Sequence, residues 1–128
     1  MSKRVINSER APRAVGPYSQ AIAAGGFVFV SGQIPIDPDT GKLVESADVG
    51  DHVRRVMANL QAVLEAAGSG FERVVKATIY LANMADFPAV NRVYATYFGD
   101  APPARATVQA GALPLAARVE IDVVALTA

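Results

Sequence analysis

Apolar and polar positions alternate along this chain with two different periods, and the switches between them outline the elements. Val49, Val53, Val56, Leu60, Val63, Leu64 and Ala67 recur at three- and four-residue steps, which is the spacing of one helical stripe. Asp48 is placed to cap the start of that helix and Gly68 to close its end. Over residues 74–81 the period drops to two. Val75, Ala77, Ile79 and Leu81 are predicted on one face of a strand, with Lys76, Thr78 and Tyr80 on the other. A second helix is predicted to open at Asp86, with Pro88 in its first turn, and to close near Gly99. Its buried face is Phe87, Val90, Tyr94, Tyr97 and Phe98. Pro102-Pro103 stop it and launch a strand over residues 104–109.

Ahead of the first helix, residues 1–19 contain Pro12, Gly16 and Pro17 and read as an extended lead-in. Residues 20–32 are apolar and β-branched but broken at Gly25-Gly26, as two strands joined at that pair would be. Pro35, Pro38 and Asp39-Thr40-Gly41 mark a turn-rich loop. A loop with Gly111 and Pro114 leads to a last strand over residues 118–126. The order is β-β-α-β-α-β-β, an α+β arrangement in one domain over residues 1–128, with two helices on one face of a mixed sheet. Val124 and Leu126 fall beside Glu120 on the opposite face. An apolar sheet face left open to water is unusual, so another subunit is expected to cover it.

Composition narrows the chemistry. Lysines plus arginines and acidic residues balance at twelve each, without the basic excess of a nucleic-acid binder. The chain of 128 residues has no cysteine and one histidine, which excludes thiolate zinc sites, paired-histidine metal sites and cysteine nucleophiles. No cofactor or metal is expected. Residues 1–13 carry four basic residues but no apolar stretch follows them, and no apolar run is long enough to span a bilayer. A cytoplasmic protein is the expectation.

Within the strand after Pro103, alternation puts Arg105, Thr107 and Gln109 on one face. In the last strand Glu120 opposes Val119, Ile121 and Val123. If the two strands are neighbours, Arg105 and Glu120 can point into one space. An arginine fork would bind and orient a carboxylate, and a glutamate there could place water or move a proton. A structural ion pair is the alternative from spacing alone. Gly16-Pro17-Tyr18-Ser19-Gln20 and Ser31-Gly32-Gln33-Ile34-Pro35 combine backbone constraint with hydroxyl or amide groups, as loops lining a polar pocket do; each taken alone is better explained by turn chemistry. Ser31 lacks an identifiable base and is not read as a nucleophile. Asn91 interrupts the apolar side of the second helix, as a pocket residue or a partnered amide. His52 is read as solvated or locally hydrogen-bonded, with no role.

Taken in order, these motifs, with Pro103-Ala104-Arg105 and Val119-Glu120-Ile121, resemble the Rid family (RidA/YjgF, formerly L-PSP) over nearly the whole chain. The resemblance implies a chorismate-mutase-like fold assembled as a homotrimer with pockets at the subunit interfaces. It also implies hydrolysis of 2-iminopropanoate and 2-iminobutanoate to 2-oxo acids and ammonia, without cofactor. Carried over by residue, Arg105 would hold the substrate carboxylate and Glu120 would position and activate water. Tyr18, Ser31, Gly32 and Asn91 would line the pocket. Deaminating members often have cysteine two residues after the arginine; this chain has Thr107, whose backbone N–H can serve. Two other readings are a non-catalytic 2-oxo acid binder and a ribonuclease, the latter disfavoured by neutral charge and the lone histidine.

Overall fold

A computed structural model describes residues 2–127 of the chain. Among the described residues six strands form one mixed sheet: β1 (Arg4–Ile6), β2 (Ala21–Ala24), β3 (Phe27–Gln33), β6 (Val74–Leu81), β7 (Ala104–Gln109) and β8 (Val119–Leu126). Their spatial order is β1-β2-β3-β8-β6-β7. The helices are α1 (Val49–Ala66) and α2 (Phe87–Ala95). All pairings in the sheet are antiparallel except β6–β7, which is parallel, as the intervening α2 crossover requires.

α1 forms as its stripe predicts. Asp48 Oδ1 accepts the Gly50 N–H at 2.9 Å, Gly68 takes a left-handed φ of 75°, and every residue of the stripe is buried. That stripe meets Val28, Val30, Ile79, Leu81, Val119, Ile121 and Val123 from the sheet. Burying one such aliphatic side chain is worth roughly 1.5–3 kcal/mol before entropy is counted. Gly25 and Gly26, at φ 60° and 84°, make the tight β2–β3 turn.

Several expectations change. Part of the lead-in, β1, joins the sheet as an edge strand against β2. The turn-rich loop contains a small hairpin, β4 (Ile36–Asp37) with β5 (Lys42–Leu43). In β6 a register shift between Val74 and Lys76 puts Val74 into the core and leaves Val75 exposed, so only Ala77, Ile79 and Leu81 face inward as predicted. Asp86 does not cap α2 through its side chain. Asn83 Oδ1 instead accepts the Ala85 N–H at 2.9 Å, and Asp86 accepts from Arg118 Nη2 at 3.1 Å. α2 ends at Ala95, short of Gly99. There the Thr96 hydroxyl donates to the Val93 carbonyl at 2.6 Å, and three-residue turns carry the chain through Tyr97 and Phe98, which are half-buried.

The largest change concerns the two candidate strands. β7 and β8 are not neighbours, because β6 lies between them. At the usual strand spacing that separates them by about 10 Å.

Candidate functional site

Register decides where each candidate side chain goes. Arg105 pairs with Ala77 and Thr107 with Ile79, both buried toward the helices, so Arg105 and Thr107 project from the helix-covered face. Glu120 pairs with Tyr80, which lies on the open face with Thr78. Within one copy of the chain, Arg105 and Glu120 therefore stand on opposite faces of the sheet. No salt bridge joins them among the described residues, so the structural ion pair is not formed.

Arg105 sits where the edge strand β7 passes α2. Its Nη1 donates to Asn91 Oδ1 at 2.7 Å. Its guanidinium carbon lies 5.4 Å from the centroid of the Phe87 ring and 5.1 Å from that of Tyr94. Phe87, Asn91 and Tyr94 follow one another at four and three residues, which puts them on a single face of α2. Asn91 is thus a partnered amide. At the C-terminal end of β7 the Ala110 N–H donates to the Leu81 carbonyl, so the even-numbered amides of β7 face β6. The N–H groups of Arg105 and Thr107 consequently point to the free edge. Among the described residues the buried Thr107 hydroxyl has no partner, nor does the Tyr94 hydroxyl.

Glu120 belongs to a different surface. It lines a cleft of about 500 Å³ with Tyr18, Ser31, Gly32, Arg13, Pro114 and Leu115 among others. Ser31 and Gly32 occupy a bulge, since β3 advances three residues from Val30 to Gln33 while β8 advances two from Val123 to Ile121. The absence of a side chain at Gly32 is what admits the glutamate, because a Cβ there would overlap the Glu120 carboxyl. The Ser31 hydroxyl donates to the Ser19 carbonyl at 2.6 Å, which ties the Tyr18 loop to the bulge. The buried Gln20 secures the same loop, accepting from Ser8 N–H at 2.7 Å and donating to the Pro12 carbonyl at 2.8 Å. Burial, and then the negative charge of Asp122, hold the Glu120 carboxyl above its ordinary pKa. At the mouth of the cleft Leu115 and Ala116 take positive φ values of 56° and 57°, conformations that side chains other than glycine adopt at a cost.

The predicted site residues therefore fall into two groups: Tyr18, Ser31, Gly32 and Glu120 in one, Asn91, Arg105 and Thr107 in the other. Phe87 and Tyr94 were read from the sequence only as the buried face of the second helix, and Arg13 and Leu115 were given no site role. The 87, 91, 94 spacing was the signal available for the first two, although it reads equally as core packing. His52 is buried, with Nε2 on the Ser46 carbonyl at 2.7 Å, and lies outside both groups. Among the described residues no helix is long and apolar enough to cross a membrane.

Fold and site together define a class: a small α+β protein with an arginine fork at one sheet edge and a partly buried glutamate in a cleft on the opposite face. Known proteins place it further. The family model described as endoribonuclease L-PSP matches residues 8–127. A RutC family protein of Pyrococcus horikoshii is 50% identical over 96% of this chain and 97% of its own length. The human protein named 2-iminobutanoate/2-iminopropanoate deaminase is 44% identical over 97% and 90%. A solved structure of a Rid family protein of unknown function from Yersinia pestis superposes with a TM-score of 0.95 at 49% identity, covering 98% of this chain and all of that one. The chain belongs to the L-PSP family, the Rid (RidA/YjgF) group that its motifs resemble.

Proposed function

We propose that this protein hydrolyses 2-imino acids such as 2-iminopropanoate and 2-iminobutanoate to 2-oxo acids and ammonia, at a site completed by contact between two copies of the chain. The division of the candidate residues between two surfaces carries the reading. Each copy presents an incomplete half: an arginine fork without a water-activating group, and a glutamate cleft whose one lining cation, Arg13, is exposed and not held in place as Arg105 is. The apolar open face, with Phe27, Phe29 and Leu126 at 39%, 47% and 40% exposure, supplies a surface for assembly. A homotrimer with three interfacial sites is the assembly the resemblance implies.

In that site Arg105 of one copy holds the substrate carboxylate through its free Nε and Nη2 edge, with the outward Thr107 N–H beside it. Glu120 of the next copy, in its cleft with Tyr18, Ser31 and the Gly32 backbone, takes a proton from water as the water oxygen bonds to the imine carbon. The proton is returned to nitrogen; the same carboxylate then takes the hydroxyl proton as the C–N bond breaks and the carbonyl forms, and passes it to the departing ammonia, which leaves as ammonium. A carboxyl raised above its ordinary pKa is a better base for this step than a fully solvated one. A protonated imine is already electrophilic, so orientation and a placed water are the main requirements. No metal or cofactor enters this scheme, and the reaction belongs in the cytoplasm beside the pyridoxal-phosphate enzymes that release such imines.

The test is a coupled assay in which a threonine dehydratase generates the imine and its decay is timed with and without the protein, before and after chelation. Faster decay that survives chelation supports the reading. Tight 2-oxobutanoate binding with unchanged decay would show a binder rather than an enzyme.

A further inference from the structure

We infer that the aromatic pair Phe87 and Tyr94 positions Arg105, fixing the plane of its guanidinium so that the Nε–Nη2 edge faces the incoming carboxylate. The inference rests on the proposed carboxylate site and adds two residues to it that act only through the arginine. Arg105 is exposed on an edge strand, and a long exposed side chain ordinarily samples many rotamers. Here three residues on one face of α2 restrict it. Asn91 Oδ1 accepts Nη1 at 2.7 Å, and the Phe87 and Tyr94 rings lie 5.4 and 5.1 Å from the guanidinium carbon. The hydrogen bond fixes one corner, and two ring contacts at different positions fix the tilt about that corner. What remains without a partner among the described residues is Nε and Nη2, the pair of donors that matches a carboxylate in two parallel bonds.

The two rings are held in different ways. Tyr94 is 4% exposed and packs 4.8 Å from the Phe98 ring. Its buried hydroxyl has no hydrogen-bond partner among the described residues, so it is the ring and not the hydroxyl that serves Arg105. Phe87 is half-buried at the first position of α2, next to Pro88, which restrains the backbone there. A second copy docked over this edge would exclude water and strengthen both cation–ring contacts.

The experiment titrates 2-oxobutanoate into the intact assembled protein and its variants, with melting curves for each. Phe87→Leu and Tyr94→Leu should each weaken binding by about 3- to 10-fold, with KM for the imine rising more than kcat falls. Tyr94→Phe should restore the affinity that Tyr94→Leu loses. Replacing Phe87 by pentafluorophenylalanine keeps the shape but inverts the charge of the ring face, and it should weaken binding without lowering Tm. In an Arg105→Lys background, Phe87→Leu should have almost no further effect, since the group it orients is gone. Three results overturn the inference: parent-like affinity in the fluorinated protein, parent-like affinity in folded Phe87→Leu, or the same loss from Phe87→Leu in the Arg105→Lys background. If Arg105→Lys alone binds 2-oxobutanoate like the parent, the carboxylate site itself falls, and the positioning role with it.

Discussion

At the scale of single residues, Arg105 and Glu120 are expected to fail in different ways. Arg105→Lys keeps the charge and loses the fork, which is worth on the order of 2–4 kcal/mol, or roughly 30- to 1000-fold in catalytic efficiency. It should lose 2-oxo acid binding. Glu120→Gln keeps the shape, removes the base, and should retain binding while losing turnover. The raised pKa of Glu120 also fixes the sign of its effect on stability. The folded state prefers its protonated form, so its contribution is most favourable below the ordinary carboxylate pKa and is lost as pH rises through the folded value. Glu120→Gln should therefore melt no lower than the parent at neutral pH, and a large drop in Tm would contradict a functional role. For activity the ionised form is required, so the rate should climb with pH along an acid limb displaced upward from the ordinary glutamate pKa. Asp122→Asn removes a neighbouring negative charge, and its amide oxygen can still accept from the Tyr80 hydroxyl, which lies 2.9 Å from Asp122. That variant should shift the limb to lower pH; an unmoved limb would mean Glu120 is not the group being titrated.

At the scale of elements, much was legible because the period of the apolar pattern is a direct record of which face is buried. The stripe of α1, the break at Gly25-Gly26 and the alternation of β8 all appear as read. Irregularities were not legible. Two bulges, at Val74–Lys76 and at Ser31-Gly32, alter registers by one residue, and nothing in Val75 or Ser31 marks the shift in advance. Strand order was also hidden. Alternation assigned Arg105 and Glu120 to faces of their own strands correctly, but only the sheet shows that β6 separates those strands. The Ser31-Gly32 bulge supplies a further prediction. In Gly32→Ala the new methyl would meet the far end of a flexible carboxylate, so the fold should survive while the carboxyl is displaced. A misplaced base costs on the order of 100-fold in rate. Turnover should drop by about that factor with 2-oxo acid binding less affected, and full activity in Gly32→Ala would show that Glu120 need not sit where it does.

At the scale of the whole molecule, the sheet has one face covered by α1 and α2 and one face on which Phe27, Phe29, Val108 and Leu126 remain exposed. The sequence foretold that open face from Val124 and Leu126 beside Glu120, and it singled out Arg105 and Glu120 but gave no site role to Phe87, Tyr94, Arg13 or Leu115. Alternation alone did not foretell that one copy cannot bring Arg105 and Glu120 together; only the family resemblance implied pockets between subunits. That division makes the central claim testable by mixing subunits. Arg105→Lys and Glu120→Gln proteins, each nearly inactive, are unfolded together in equal amounts and refolded, with light scattering to confirm the assembly. If each site takes its arginine from one copy and its glutamate from the next, about one quarter of the sites in a random mixture receive both native residues. The account predicts recovery of about that fraction of parent imine hydrolysis, absent when either variant is refolded alone. A mixture that assembles and stays as inactive as its components would contradict it.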